Sequence, residues 1–65
     1  MESVIIIKRA IELLKQRNQM LEASKIKAIG DRDFTLSGNI QRMINQNDSM
    51  ILDFEFRVNN CSLNF

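Results

Sequence analysis

Residues 50–58 read Met-Ile-Leu-Asp-Phe-Glu-Phe-Arg-Val, and this stretch decides the predicted fold. A row of large apolar side chains alternates there with a second row, Ile51, Asp53, Glu55 and Arg57. This is the period-two pattern of a β-strand with one buried face. The alternation therefore predicts a strand at about 49–58. The row predicted to be buried contains Met50, Leu52, Phe54, Phe56 and Val58.

Turn signals on both sides of this strand predict two more strands. Asn59-Asn60 can close a two-residue hairpin turn, which leads into a strand at about 61–65 and sets Val58 opposite Cys61. Residues 45–48, Asn-Gln-Asn-Asp, tolerate positive φ and connect back to a strand at about 33–44. The residues predicted to form the core beneath a covering helix are Phe54, Phe56, Leu63 and Phe65, with Cys61 as a packed small hydrophobe.

Residues 37–46 also allow a short helix, which would place Ile40, Met43 and Ile44 on one face. Gly38 and Asn39 are poor helix formers, and an acidic residue near the start of such a helix is missing. We therefore favour the strand, in which Gly38 lies beneath Phe56.

Residues 2–28 carry apolar side chains at helical spacing and predict a long amphipathic helix. We expect it to end between Leu21 and Ile29, with Gly30 in the left-handed conformation that stops a helix. The arc of apolar side chains around this helix is wider than one packing surface needs, so we expect the helix to pack against two separate surfaces. The first row, written as heptads, contains Val4, Ile7, Ile11, Leu14, Asn18, Leu21, Lys25 and Ala28. The second row contains Ile6, Ala10, Leu13 and Met20.

The predicted fold is thus a single α+β domain over residues 1–65, in which the N-terminal helix packs on a three-stranded antiparallel β-meander. The first row also resembles a parallel coiled-coil seam with one Asn. A chain of this length buries only about 60% of its surface. We therefore expect a homodimer, with an oligomer interface of Ile7, Ile11, Leu14, Asn18 and Leu21.

The side chains offer little for catalysis. The chain has no histidine and one cysteine, Cys61, which excludes Ser-His and Cys-His nucleophiles and a zinc site of the usual four ligands. Asp53 and Glu55 would share one strand face with Arg57, a weak match to metal-dependent nucleases that we keep as an alternative. We otherwise expect no enzyme activity, catalytic residue, metal or cofactor.

The charge balance is nearly neutral, at +1, but residues 1–30 hold six basic and three acidic side chains. Nucleic-acid binding through the basic face of the helix is therefore a second alternative. Lys8, Arg9, Lys15 and Lys27 would supply it, although no aromatic side chain remains for stacking on bases.

The remaining function class is a small non-enzymatic module that binds and modulates a larger protein, as a regulator, inhibitor or adaptor. The predicted partner-binding residues on the outer arc of the helix are Lys8, Arg9, Glu12, Lys15 and Gln16. An open sheet edge at residues 61–65 is a second predicted docking surface. The longest apolar run, residues 4–7, is too short to cross a membrane, so we expect a cytoplasmic, intracellular protein.

Overall fold

The computed structural model describes residues 2–63, which form two helices that pack side by side as an antiparallel hairpin. Helix α1 spans Glu2–Gly30 and helix α2 spans Phe34–Leu63. The hairpin is 51 Å long, 14 Å wide and 11 Å thick between Cα atoms. It is therefore a single layer of two helices rather than a sheet with a helix above it.

The predicted β-meander is wrong, because one helix occupies the positions of the first two strands and at least the start of the third. Residues 34–63 are helical throughout, and no strand occurs within residues 2–63. The alternating pattern of residues 50–58 places Ile51 in the row that would face water, although its side chain is apolar. The helix buries Ile51 and leaves Leu52 and Phe56 exposed. Three- and four-residue spacing therefore decides this segment, rather than alternation.

Residues 45–48 were predicted to form a turn, and they instead lie in the middle of α2. Asn47 is buried, and its amide donates a hydrogen bond to Asn18 of α1. A side chain that satisfies its polar atoms across the helix pair has no need of a turn conformation. The cluster of turn-forming residues thus contributes an inward-facing polar contact.

The connection between the helices is a tight turn, and it corrects the predicted role of Gly30. Gly30 is the last residue of α1 and its φ is not positive, whereas Arg32 has a φ of 60°. The amides of Arg32 and Asp33 donate to the carbonyls of Ile29 and Ala28, at 3.0 and 2.8 Å. These two bonds form a Schellman motif with arginine at the left-handed position that glycine usually occupies.

Asp33 immediately precedes α2, and it supplies the cap that the short-helix alternative lacked. Its Oδ1 accepts a hydrogen bond of 3.1 Å from the amide of Leu36, three residues later. That is the geometry of an N-cap aspartate. The cap lies four residues before Ser37, the position at which the alternative helix was predicted to begin.

The predicted aromatic core is also revised. Phe54 is half-buried, but Phe56 is exposed. Cys61 lies in the same helix as Val58, so the two do not face each other across a hairpin, and the side chains of Cys61 and Leu63 lie outside the described residues. Phe65 lies outside them altogether. The buried apolar residues are Ile11, Ala28, Ile40, Ile44 and Ile51.

Replacing Gly38 tests the helical assignment. Gly38 lies inside α2 with a negative φ, and a Cβ added there meets no atom within 4 Å. Gly38→Ala should therefore stabilise the protein by about 0.5–1 kcal/mol, since alanine loses less backbone entropy than glycine on folding. Thermal unfolding followed by circular dichroism should show a rise in Tm of several degrees. A fall in Tm would contradict the exposed helical position.

Replacing Arg32 tests the turn. A left-handed conformation costs a side-chain-bearing residue about 1–2 kcal/mol, and glycine avoids most of this cost. Arg32→Gly should therefore raise the free energy of unfolding by about 0.5–1 kcal/mol in a denaturant titration. Arg32→Ala is the matched control, because it removes the same charge but keeps the Cβ, and it should give no gain. Equal effects of the two variants would show that φ at this position is not the cause.

Candidate protein-interaction surfaces

The first apolar row of α1 faces α2 of the same chain. Ile11 and Ala28 are buried, and the other members of the row are partly buried. The five residues predicted for the oligomer interface, Ile7, Ile11, Leu14, Asn18 and Leu21, all belong to this row. They therefore lie on the side of α1 that packs against α2 of the same chain, where Ile11 is buried and the other four are partly buried. Their role between copies stays a prediction.

Helix α2 meets this row with a stripe of its own that repeats at alternating three- and four-residue steps. The stripe consists of Ser37, Ile40, Ile44, Asn47, Ile51, Phe54 and Val58. Ile40 and Ile44 pack with Ala28 and Leu21 in the best-buried part of the hairpin, close to the turn. Such spacing on both helices is typical of antiparallel coiled-coil packing.

A polar layer crosses the pair near its middle. Asn47 Nδ2 donates to Asn18 Oδ1 at 2.9 Å, and Asn18 Nδ2 donates to Asp48 Oδ1, also at 2.9 Å. Each carboxamide therefore has a partner, and the heptad asparagine recognised in the sequence pairs within the chain. A second polar chain lies nearer the turn, where Lys25 Nζ donates to Gln41 and Gln41 donates to Asn45.

The outer arc of α1 is exposed, and one of its members, Gln16, also lines a groove between α1 and α2. The outer arc contains the five residues predicted to bind a partner: Lys8, Arg9, Glu12, Lys15 and Gln16. Three of their side chains are positive and one is negative. The structure therefore leaves this polar surface accessible for contact with another molecule.

A second exposed surface is apolar and follows one side of the hairpin. We name it the methionine face, and its members are Ile6, Leu13, Met20, Leu36, Met43 and Met50. Leu13, Met20 and Met50 line an open groove between the helices together with Ala10 and Arg17. Met43 continues that groove toward the turn. The two adjoining grooves thus bring together the apolar rows of both helices, and Ile6 and Leu36 extend these rows by one heptad at either end.

Only the α1 half of the methionine face could be predicted from the sequence. The α1 half is the second apolar row of the predicted helix, which required a partner beyond the first. The α2 half was missed because Met43 and Met50 fell in predicted strands. The missed signal is the repeat of Leu36, Met43 and Met50 at intervals of seven residues.

The nuclease-like alternative loses its geometric basis. Asp53 and Glu55 lie two residues apart in a helix, which separates their directions by about 200°, rather than on one strand face. Asp53 is paired with Arg57 at 3.1 Å, and Arg57 also stacks over Phe54 at 5.9 Å. Residues 2–63 contain no cluster of three metal-ligating side chains in the described positions. Neither helix, over its described length, is long and apolar enough to span a bilayer.

None of the family models, curated proteins or solved structures compared with this chain matches it. The surfaces of the hairpin are therefore what indicates its function.

The polar layer gives a double-mutant test. Asn18→Leu leaves the buried Asn47 without its acceptor, so unfolding should become easier by about 1–3 kcal/mol. Asn47→Leu should also destabilise, though less, because Asn18 keeps its bond to Asp48. The double variant replaces both partners with apolar groups and should recover at least the wild-type free energy of unfolding in urea. Additive losses would contradict a paired layer.

Proposed function

We propose that this chain is a small non-enzymatic protein-interaction module. In this proposal it acts as a homo-oligomer in the cytoplasm and binds a larger protein as a regulator, inhibitor or adaptor. The observation that carries the proposal is the imbalance between the interior and the surface. Few apolar side chains are buried, whereas an apolar face runs along the hairpin in water.

An exposed apolar face of this kind supports association rather than catalysis. Monomeric proteins seldom leave a large contiguous apolar patch in water, and such patches are characteristic of binding sites. Three of the six side chains on the methionine face are methionines, whose flexible thioethers adapt to a partner surface. The face therefore provides the apolar anchors that protein interfaces require.

The outer arc of α1 complements this face in the proposal. Lys8, Arg9 and Lys15 lie within four residues of Glu12 on the exposed surface of α1. Charged groups of this kind steer encounters and fix the orientation of a partner rather than supplying most of the affinity. The excess of positive charge favours a larger protein with an acidic surface. Nucleic acid remains an outcome of the test.

The outer-arc contact is tested with charge reversals. We expect Lys8→Glu and Lys15→Glu each to weaken binding of a protein captured from the native host by about tenfold, since each reverses a charge at the contact. Affinity is measured with the captured protein after purification. Arg42→Glu is the matched control, because it makes the same charge change at an exposed position of α2, outside the outer arc, and it should bind as the wild type does.

Salt dependence separates a protein partner from nucleic acid. The same variants are titrated with random duplex and single-stranded oligonucleotides at low and moderate salt. Phosphate contacts lose orders of magnitude in affinity over that range, because each contact releases counterions. Tight oligonucleotide binding that is steeply salt-dependent and abolished by Lys8→Glu or Lys15→Glu would overturn the proposal. Failure of the purified protein to discriminate Lys15→Glu from Arg42→Glu would refute the outer arc as the contact.

A further inference from the structure

We propose that a second copy of this chain covers the methionine face, so that two hairpins form a four-helix bundle. The inference deepens the proposed function and rests on it, because it names the occupant of one of the two surfaces.

The spacing of the face specifies a helical partner. Ile6, Leu13 and Met20 are separated by seven residues in α1, and the α2 members of the methionine face repeat at the same interval. A row with a period of seven drifts by only about 20° per heptad around a straight helix, and a left-handed supercoil of packed helices removes that drift. An extended strand or a loop follows no such period. The occupant that fits along the whole face is therefore another pair of supercoiled helices.

The area of the hairpin matches what a dimer interface removes. The accessible surface is 5232 Å², whereas a compact monomer of 7.6 kDa is expected to expose about 4,300 Å². The excess of about 900 Å² is close to the roughly 800 Å² that each partner buries in a standard-size interface. The face is also long enough, because the hairpin measures 51 by 14 Å between Cα atoms.

The charge distribution selects this side of the hairpin for self-association. Arg17 is the charged side chain lining the apolar groove, and its long stem can lie along the groove while the guanidinium reaches water. By helical spacing the opposite side carries charged side chains of both signs, Lys8, Glu12, Lys15 and Glu22 on α1 and Asp48 and Glu55 on α2, and all of them are exposed. Four exposed apolar residues lie among them: Ile5, Ile26, Ile29 and Leu52. A two-fold contact places identical patches against each other, so self-association through the opposite side would bury several charged side chains, whereas the grooves of the methionine face are lined by one, Arg17.

The decisive experiment compares two leucines of similar exposure on the full chain. Leu13 is 65% exposed on the methionine face, and Leu52 is 69% exposed outside it. We expect wild-type protein to sediment at twice the 7.6 kDa chain mass at micromolar concentration. Leu13→Glu should raise the dimer dissociation constant at least tenfold, because a charge enters a dry interface, whereas Leu52→Glu should leave it unchanged.

Circular dichroism at matched concentrations separates dissociation from unfolding. Leu13 makes little intrachain contact, so Leu13→Glu protein should keep its helical spectrum at low temperature. The Tm of the wild type should rise with protein concentration, and that of Leu13→Glu should not. If Leu13→Glu fails to fold, Met20→Glu provides the same test from a side chain that is 73% exposed.

Several results would overturn the inference. They are a wild-type monomer at 100 µM that is fully helical, a dimer equally weakened by Leu13→Glu and Leu52→Glu, and a dimer insensitive to both. A monomer that still binds its larger partner through Lys15 would refute the bundle and leave the proposed function standing. A dimer that binds no other protein would refute the larger-partner proposal and leave the bundle standing.

Discussion

The burial of one narrow stripe on each helix against the other is the interaction on which the hairpin depends. The buried apolar residues come from both helices: Ile11 and Ala28 from α1, and Ile40, Ile44 and Ile51 from α2. Neither helix has a core without its partner. Long helices of ordinary composition gain most of their stability from such packing rather than from propensity. Each helix is therefore stabilised mainly by packing against the other, and the tight turn at Arg32 holds the two side by side.

The polar layer fixes how the two stripes meet. With Asn18 opposite Asn47, the register places Leu21 level with Ile44 and Leu14 level with Ile51. A slip of one heptad would bring Asn18 against Ile40 or Phe54 and leave both carboxamides without partners. Each unpaired buried amide costs about 1–3 kcal/mol, which is comparable with the whole margin of a small domain. The layer thus gives up some apolar burial and excludes the alternative registers, as single asparagines do in other coiled coils.

The N-terminal helix, its first row and its second row could be predicted from the sequence, because residues 4–28 carry one dominant period. Helix α1 ends at Gly30, two residues beyond the predicted end near 28. The C-terminal half could not be predicted in the same way, since residues 50–58 satisfy two periods at once. The alternating row shares Phe54 and Val58 with the helical stripe. The helix differs from it by burying Ile51 and exposing Met50, Leu52 and Phe56. The stripe on α1 decides between the strand and the helix, because a facing helix can pack against it. That stripe lies far from residues 50–58 in sequence. Asn47 was misread for the same reason: a turn-forming residue becomes an interior contact only when a partner amide is opposite.

The candidate surfaces, like the helices, could be predicted from the sequence for α1 but not for α2. The α1 half of the methionine face was visible as an apolar arc too wide for one contact, whereas its α2 half appears only once residues 34–63 are helical. A hairpin of two helices has one layer, so each helix can bury one side and must leave the others in water. Charged and polar side chains on those sides are readily hydrated, whereas the apolar rows that contain Leu13 and Met50 are not stabilised by contact with water. Packing them against a second hairpin would give the methionine face a partner and would place the seam between the helices inside a bundle. The stability of the fold would then vary with the concentration of the chain, because only the assembled state buries both rows.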